Sequence, residues 1–245
     1  MVTSGTVPLD GRVILVTGAA KRIGRGIALH LAKHGAQVAI HYSSSEAEAR
    51  ATAAECGNAP LFQADLERVA EIESLFERVH AHFGRIDGLV NNAARFTQID
   101  PLKVTEADWD FIHNVNLKAT FFCCQQAARR MLATPNGGRI VNISSLGGLR
   151  PWSTHAHYCA SKAGVIMLTK ALAKAFAPKV TVNSVAPGVI PFGEPDERIK
   201  RLICATPAGR AGTAEEIAAA VAFFLTSPDF ITGQILAVDG GLSQK

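Results

Sequence analysis

Arg12-Val13-Ile14-Leu15-Val16-Thr17-Gly18 is a short apolar, β-branched run that ends in glycine, and Ile23 to Lys33 beyond it carries apolar residues at helical spacing. Strand, glycine turn and helix in that order make the βα unit that holds a dinucleotide. Gly18, Gly24 and Gly26 permit close approach of backbone, and the amides at the helix N-terminus, aided by its dipole, attract a pyrophosphate. A glycine turn alone is weak evidence, because many helices begin with one.

Outward from this unit, strand-like and helix-like segments alternate to the end of the chain without repeats or low-complexity stretches. Strands are predicted at 12–17, 37–41, 60–63, 88–91, 139–143, 181–185 and 234–238. Helices are predicted at 23–34, 45–56, 69–83, 107–133, 158–176, 196–204 and 214–226. Most strands are apolar throughout instead of alternating, as expected when helices cover both faces. The expected fold is α/β: a single Rossmann-type domain over residues 1–245, with a doubly wound, seven-stranded parallel sheet. Ligands in such sheets lie beyond the carboxyl ends of the strands. Gly18, Asn91, Ser144, Ser145 and Pro187 all follow predicted strands.

The 245 residues suit one large α/β unit, and 48% of them are hydrophobic. Met1 to Asp10 lacks a basic segment followed by an apolar one, and no later run has the length to span a bilayer, so the expected location is cytoplasmic, without a membrane partner. The formal charge of +4 comes from scattered Lys and Arg without a basic block, which argues against nucleic acid. Cys56, Cys123, Cys124, Cys159 and Cys204 have neither CxxC nor metal-site spacing and read as free thiols; no metal is expected.

Tyr158 and Lys162 are four residues apart at a predicted helix start, so both project from one face. An ammonium beside a phenol favours the phenolate and is expected to lower a pKa that is ordinarily about 10. Proton exchange with an alcohol oxygen then becomes feasible. The same spacing also occurs as an ordinary surface pair, so the rest of the chain has to decide.

At this point the chain resembles the short-chain dehydrogenase/reductase family over nearly its whole length. Thr17 to Gly24 is similar to the family's nucleotide turn, with Arg22 in place of its middle glycine. Asp65-Leu66 resembles the acidic site that contacts adenine, and Asn91-Asn92-Ala93-Ala94 resembles Asn-Asn-Ala-Gly. Asn116, Ser145 thirteen residues before Tyr158, and Lys162 match the family's tetrad; Pro187-Gly188 and Val238-Asp239-Gly240-Gly241 match its C-terminal motifs. The resemblance implies cofactor contacts from Gly18, Lys21, Arg22, Ile23, Gly24, Asp65, Leu66, Asn92, Ala93, Ala94, Tyr158, Lys162, Pro187, Gly188, Val189 and Ile190. It also implies that Tyr158 protonates the developing alkoxide, Ser145 holds the same oxygen, Lys162 binds ribose hydroxyls, and Asn116 orients a water. Ser144 would take the place of Ser145 if the register were off by one.

Charge bears on the cofactor. Folds that take NAD place an acid at the end of the second strand, where it binds both ribose hydroxyls and repels a 2′-phosphate. Here that place holds His41-Tyr42-Ser43-Ser44-Ser45, and Lys21 and Arg22 lie in the turn, so NADPH is favoured over NADH. The serines also suit a plain helix cap.

The expected substrate is a small carbonyl compound, with a pterin as the alternative. Arg22, His41-Tyr42 and Phe96 resemble the pteridine reductases, in which an aromatic residue such as Phe96 stacks on a flat heterocycle. Ser145 argues the other way, since that branch usually carries aspartate there. Trp152, His155, His157, Phe192 and Glu194 are further pocket candidates, although His155 and His157 also read as solvated loop residues. A non-catalytic dinucleotide sensor is the remaining class. The resemblance further implies a homotetramer and a lid over residues 190–205.

Overall fold

The computed structural model of the chain describes residues 8–244. Its strands are β1 (Val13–Val16), β2 (Gln37–Tyr42), β3 (Leu61–Gln63), β4 (Gly88–Asn91), β5 (Gly138–Ile143), β6 (Val180–Pro187) and β7 (Ile235–Val238). Its helices are α1 (Arg22–Lys33), α2 (Glu46–Glu55), α3 (Val69–Phe83), α4 (Glu106–His113), α5 (Thr120–Leu132), α6 (Ala156–Phe176), α7 (Glu197–Ala205) and α8 (Ala214–Thr226). All seven strands pair in parallel, in the order β3-β2-β1-β4-β5-β6-β7. The expected doubly wound sheet is thus the observed one. The order reverses between β1 and β4, and the crevice beyond their carboxyl ends is where such folds take ligands.

Successive strand residues face opposite sides, and both sides are apolar. Ile14, Val16, Val90 and Val141 pack with α1, α2 and α8, whereas Leu15, Leu89, Ile140 and Val182 pack with α3, α5 and α6. Capping boxes start α4 (Thr105 with Asp108) and α8 (Thr213 with Glu216). Gly26 belongs to this packing and not to a phosphate site: a Cβ there would lie 2.7 Å from the Cβ of Ala214 on α8. Among the described residues, no helix has the length and apolarity to cross a membrane.

One predicted element is not continuous. Residues 107–133 form α4, a π-helical stretch (Asn114–Ala119) and α5. Hydrophobic periodicity runs through this region unbroken, so it cannot reveal the wider turn. Tertiary hydrogen bonds hold it: the Asn116 side chain donates to the Arg95 carbonyl (3.0 Å) and Ser161 Oγ (3.1 Å) and accepts from the Arg95 N–H (2.8 Å). Such π-turns are frequent at functional sites.

Candidate active site

Two adjoining cavities open at the switch point. The smaller, about 400 Å³, follows the glycine turn and is lined by Gly18, Lys21, Arg22, Ile23, Gly24, Ser43, Ser44, Ser45, Asp65, Leu66, Asn92, Ala93 and Ala94. The larger, about 700 Å³, is lined by Phe96, Ser145, Tyr158, Lys162, Pro187, Gly188, Val189 and Ile190, and shares Arg22, Ile23, Asn92, Ala94 and Phe192 with the first. Of the residues singled out from the sequence, Asn116, His155, His157 and Glu194 line neither; Asn116 is buried and Glu194 is exposed.

Backbone builds most of the smaller cavity. Gly18 has a φ of +62°, and a Cβ there would sit 2.9 Å from Ala93 Cα; a Cβ on Gly24 would overlap the Gly18 carbonyl oxygen. Asn92 Nδ2 donates to the carbonyls of Thr17 (2.9 Å) and Gly18 (3.0 Å), which ties the end of β4 to the turn. Arg22 adopts a φ of +57°, a left-handed conformation that costs a non-glycine residue about 1–3 kcal/mol. Its guanidinium lies 5.9 Å from the Phe192 ring centroid.

Sequence reading left His41 without a role. Buried on β2, its Nδ1 accepts from the Gly18 N–H (3.1 Å) and its Nε2 reaches the Ala64 carbonyl (3.1 Å). Burial pushes its pKa down to about 4, so the ring is a neutral strut between the turn and the end of β3. A polar residue inside an apolar strand was the signal available in the sequence. Beyond it, Ser45 occupies the N-cap position of α2, but its side chain makes no capping hydrogen bond.

Three hydroxyls at the end of β5 and the start of α6 have distinct partners. Ser144 Oγ donates to the Val185 carbonyl (3.2 Å) and accepts from Ser184 Oγ (2.8 Å), so it serves the β5–β6 junction. Ser145 Oγ accepts from the Gly147 N–H (3.0 Å) and hydrogen-bonds the Tyr158 phenol. Of the two serines, Ser145 is the one beside the tyrosine.

Lys162 differs from the expectation. Its Nζ donates to the Ile143 carbonyl at 2.9 Å and lies 6.0 Å from the Tyr158 ring centroid. Both side chains are buried. Burial holds the Lys162 ammonium down at about 8 and pushes Tyr158 up to about 12, against a smaller downward pull from the Ser145 hydrogen bond. Desolvation thus dominates, and the phenol is protonated at neutral pH, the state a proton donor needs. Asn116 stands one hydrogen bond away: it holds Ser161, whose Oγ donates to the Tyr158 carbonyl at 2.7 Å, and so fixes the first turn of α6.

Aromatic rings surround Tyr158. Trp152 is nearly parallel to it (centroids 6.0 Å apart, 9°), and Phe96 meets it edge-on at 4.8 Å. Phe96 is 52% exposed, but His155 stacks on one of its faces at 4.9 Å, so a planar ligand has at most the other face. His155 and His157 are not solvated loop residues. Both are buried, with Nδ1 of His155 on Thr154 Oγ1 (3.0 Å) and Nε2 of His157 on Thr97 Oγ1 (2.7 Å), and burial lowers both pKa values. A hydroxyl next to each ring, one of them far off in sequence, is a contact that periodicity cannot show.

Comparison with known proteins identifies the family. A family model described as enoyl-(acyl carrier protein) reductase matches residues 18–243. A 3-oxoacyl-[acyl-carrier-protein] reductase of Synechocystis sp. is 38% identical over 242 residues, covering 96% of this chain and 98% of that protein. A 2-dehydro-3-deoxy-D-gluconate 5-dehydrogenase of Escherichia coli is 35% identical, covering 95% and 96%. Among solved structures, a short-chain dehydrogenase/reductase from Serratia marcescens superimposes with a TM-score of 0.90 at 34% identity, over 97% of this chain and 100% of that one. The chain is an oxidoreductase and belongs to the short-chain dehydrogenase/reductase family.

Proposed function

We propose that the chain is an NADP(H)-dependent reductase of a small carbonyl compound, with Tyr158 as general acid. The observation that carries this reading is the pairing of the Ser145 and Tyr158 hydroxyls on the wall of the larger cavity, with Lys162 alongside. A nicotinamide dinucleotide fits the residues present. Gly18 and Gly24 let the turn close against β4 while their backbone lines the smaller cavity, and Ser45 keeps its hydroxyl free of the cap it was positioned to make. Bound there, the dinucleotide supplies the hydride.

The chain's own residues do the rest. Ser145 and Tyr158 hydrogen-bond the carbonyl oxygen and polarise it, and Tyr158 then delivers its proton to that oxygen. Lys162, cationic below about pH 8, holds ribose hydroxyls and favours loss of the tyrosine proton. Asn116 acts by positioning α6. Ser43, Ser44, Ser45, Lys21 and Arg22 receive the 2′-phosphate at the N-terminus of α2, where no acid of β2 opposes it. The relatives named 3-oxoacyl-[acyl-carrier-protein] reductase and 2-dehydro-3-deoxy-D-gluconate 5-dehydrogenase support carbonyl chemistry over pterin reduction.

Segment 190–205 is the lid of this site. It contains α7, which has no buried residue and presents Ile199 and Leu202 to the cavity. A homotetramer belongs to the same reading: Trp109 on α4, Phe121 on α5, Met167 on α6, and Phe230 with Leu236 at the β7 edge are exposed large apolar residues. The test is NADPH and NADH oxidation with a panel of ketones, β-ketoacyl thioesters, quinones and dihydropterins. Turnover of carbonyls with NADPH supports the reading, and turnover of pterins alone refutes it.

A further inference from the structure

The residues lining the larger cavity include four cations and no Asp or Glu. Two of the cations have an occupant in the reading above: Lys162 lies beside Tyr158, and Arg22 belongs to both cavities at the glycine turn. Arg150 and Arg198 do not. They line the larger cavity alone, and neither forms an ion pair with a carboxylate among the described residues.

Their positions are complementary. Arg150 precedes α6 and is half-buried; one of its nitrogens donates to the Leu242 carbonyl at 2.7 Å, which anchors the guanidinium against the C-terminal turn. Arg198 is on α7, in the lid, and donates to Gln98 Oε1 at 2.6 Å. Each hydrogen bond engages one nitrogen with a neutral oxygen, and a guanidinium has five N–H donors. Of the three lid acids, Asp196 caps α7, Glu197 pairs with Lys200 and Glu194 is exposed, and none of them lines the cavity. Leu146, Trp152 and Leu202 line the same cavity as the arginines and Tyr158. Positive charge in a cavity free of internal counter-charge is a receptor for an anionic oxo group, which guanidinium matches in a bidentate manner.

Building on the carbonyl-reductase reading, we infer that the substrate is an oxo acid: its carbonyl meets Ser145 and Tyr158, and a carboxylate or phosphate at its far end is held by Arg150 and Arg198. Arg198 would bring the lid with it, because α7 closes on the anion that its arginine binds.

The test uses the intact enzyme and matched pairs of substrates. Oxo acids of increasing carbonyl-to-carboxylate spacing are each compared with their primary amides, and dihydroxyacetone phosphate with dihydroxyacetone. For the best pair, kcat/KM for the anion exceeds that for the neutral partner about tenfold or more, mainly through KM. In Arg150→Met and Arg198→Met that ratio falls towards one. The carboxylate and phosphate pairs show which anion the site takes. Calorimetric titration of the same acids and amides into enzyme with bound NADP+ supplies a readout independent of turnover. Arg-dependent binding of the acids without reduction of any carbonyl would sustain the anion site and refute the reductase reading. Reduction of acids and amides at equal rates, or a ratio that survives both substitutions, would overturn the anion site and leave the reductase reading intact.

Discussion

The two cavities are built on different principles. Around the smaller one, shape comes from backbone: Gly18 and Gly24 have no room for a side chain, and Asn92 and His41 tie carbonyls and amides together. Around the larger one, character comes from side chains: a phenol among aromatic rings, a buried lysine, and arginines without acids. A backbone-built cleft tolerates little variation and accepts one kind of ligand. A cleft built from side chains keeps its reaction but can change its substrate.

The sharpest way to break that comparison is at Tyr158. Tyr158→Phe is expected to lower kcat about 10²–10⁴-fold while dinucleotide affinity changes little, checked by steady-state rates beside cofactor fluorescence titration. Substantial residual turnover would remove Tyr158 as the acid. On the backbone side, Gly24→Ala overlaps the Gly18 carbonyl and should destabilise the fold by ~1–3 kcal/mol and weaken dinucleotide binding. Gly26→Ala meets only Ala214 on α8; it should lower the melting temperature without a comparable loss of affinity. Equal effects of the two on affinity would mean that the cleft is less dependent on its turn than proposed.

Cofactor choice is a smaller effect. Ser43→Asp, which places an acid after β2, should shift the NADPH-to-NADH ratio of kcat/KM about tenfold towards NADH by like-charge repulsion of the 2′-phosphate. An unchanged ratio would show that the phosphate is not held there. The last expectation concerns Lys162. Its folded pKa, about 8, is below the ordinary 10.5, so between those values the unfolded chain binds more protons and unfolding free energy rises with pH, by at most ~1.4 kcal/mol per unit. Below about pH 8 the buried ammonium is a constant penalty. Lys162→Met should remove this rise in urea titrations from pH 8 to 10.5. In the same range the wild-type enzyme should lose kcat/KM as the ammonium deprotonates, well before a phenol held near 12.

How far the sequence could be read follows the same division. The glycine turn, the strands and the Ser145–Tyr158 spacing are local patterns, and the seven strands form the expected parallel sheet, whose order the sequence did not state. What escaped depends on distance in the chain. The π-turn at Asn116 is held by Arg95 and Ser161, and the burial of His157 involves Thr97. Four-residue spacing placed Lys162 near Tyr158 correctly, but the direction of the phenol's pKa was set by how deeply both are buried, which spacing does not encode. The lack of acids opposite Arg150 and Arg198 is likewise a property of the cavity as a whole.

The most direct test of the central claim follows NADPH and NADH absorbance with purified enzyme against oxo acids, neutral ketones, β-ketoacyl thioesters and dihydrobiopterin, with Tyr158→Phe beside the wild type. The account predicts NADPH-dependent reduction of carbonyl compounds that disappears in the variant. Reduction of dihydrobiopterin alone, or carbonyl reduction that Tyr158→Phe leaves intact, would contradict it.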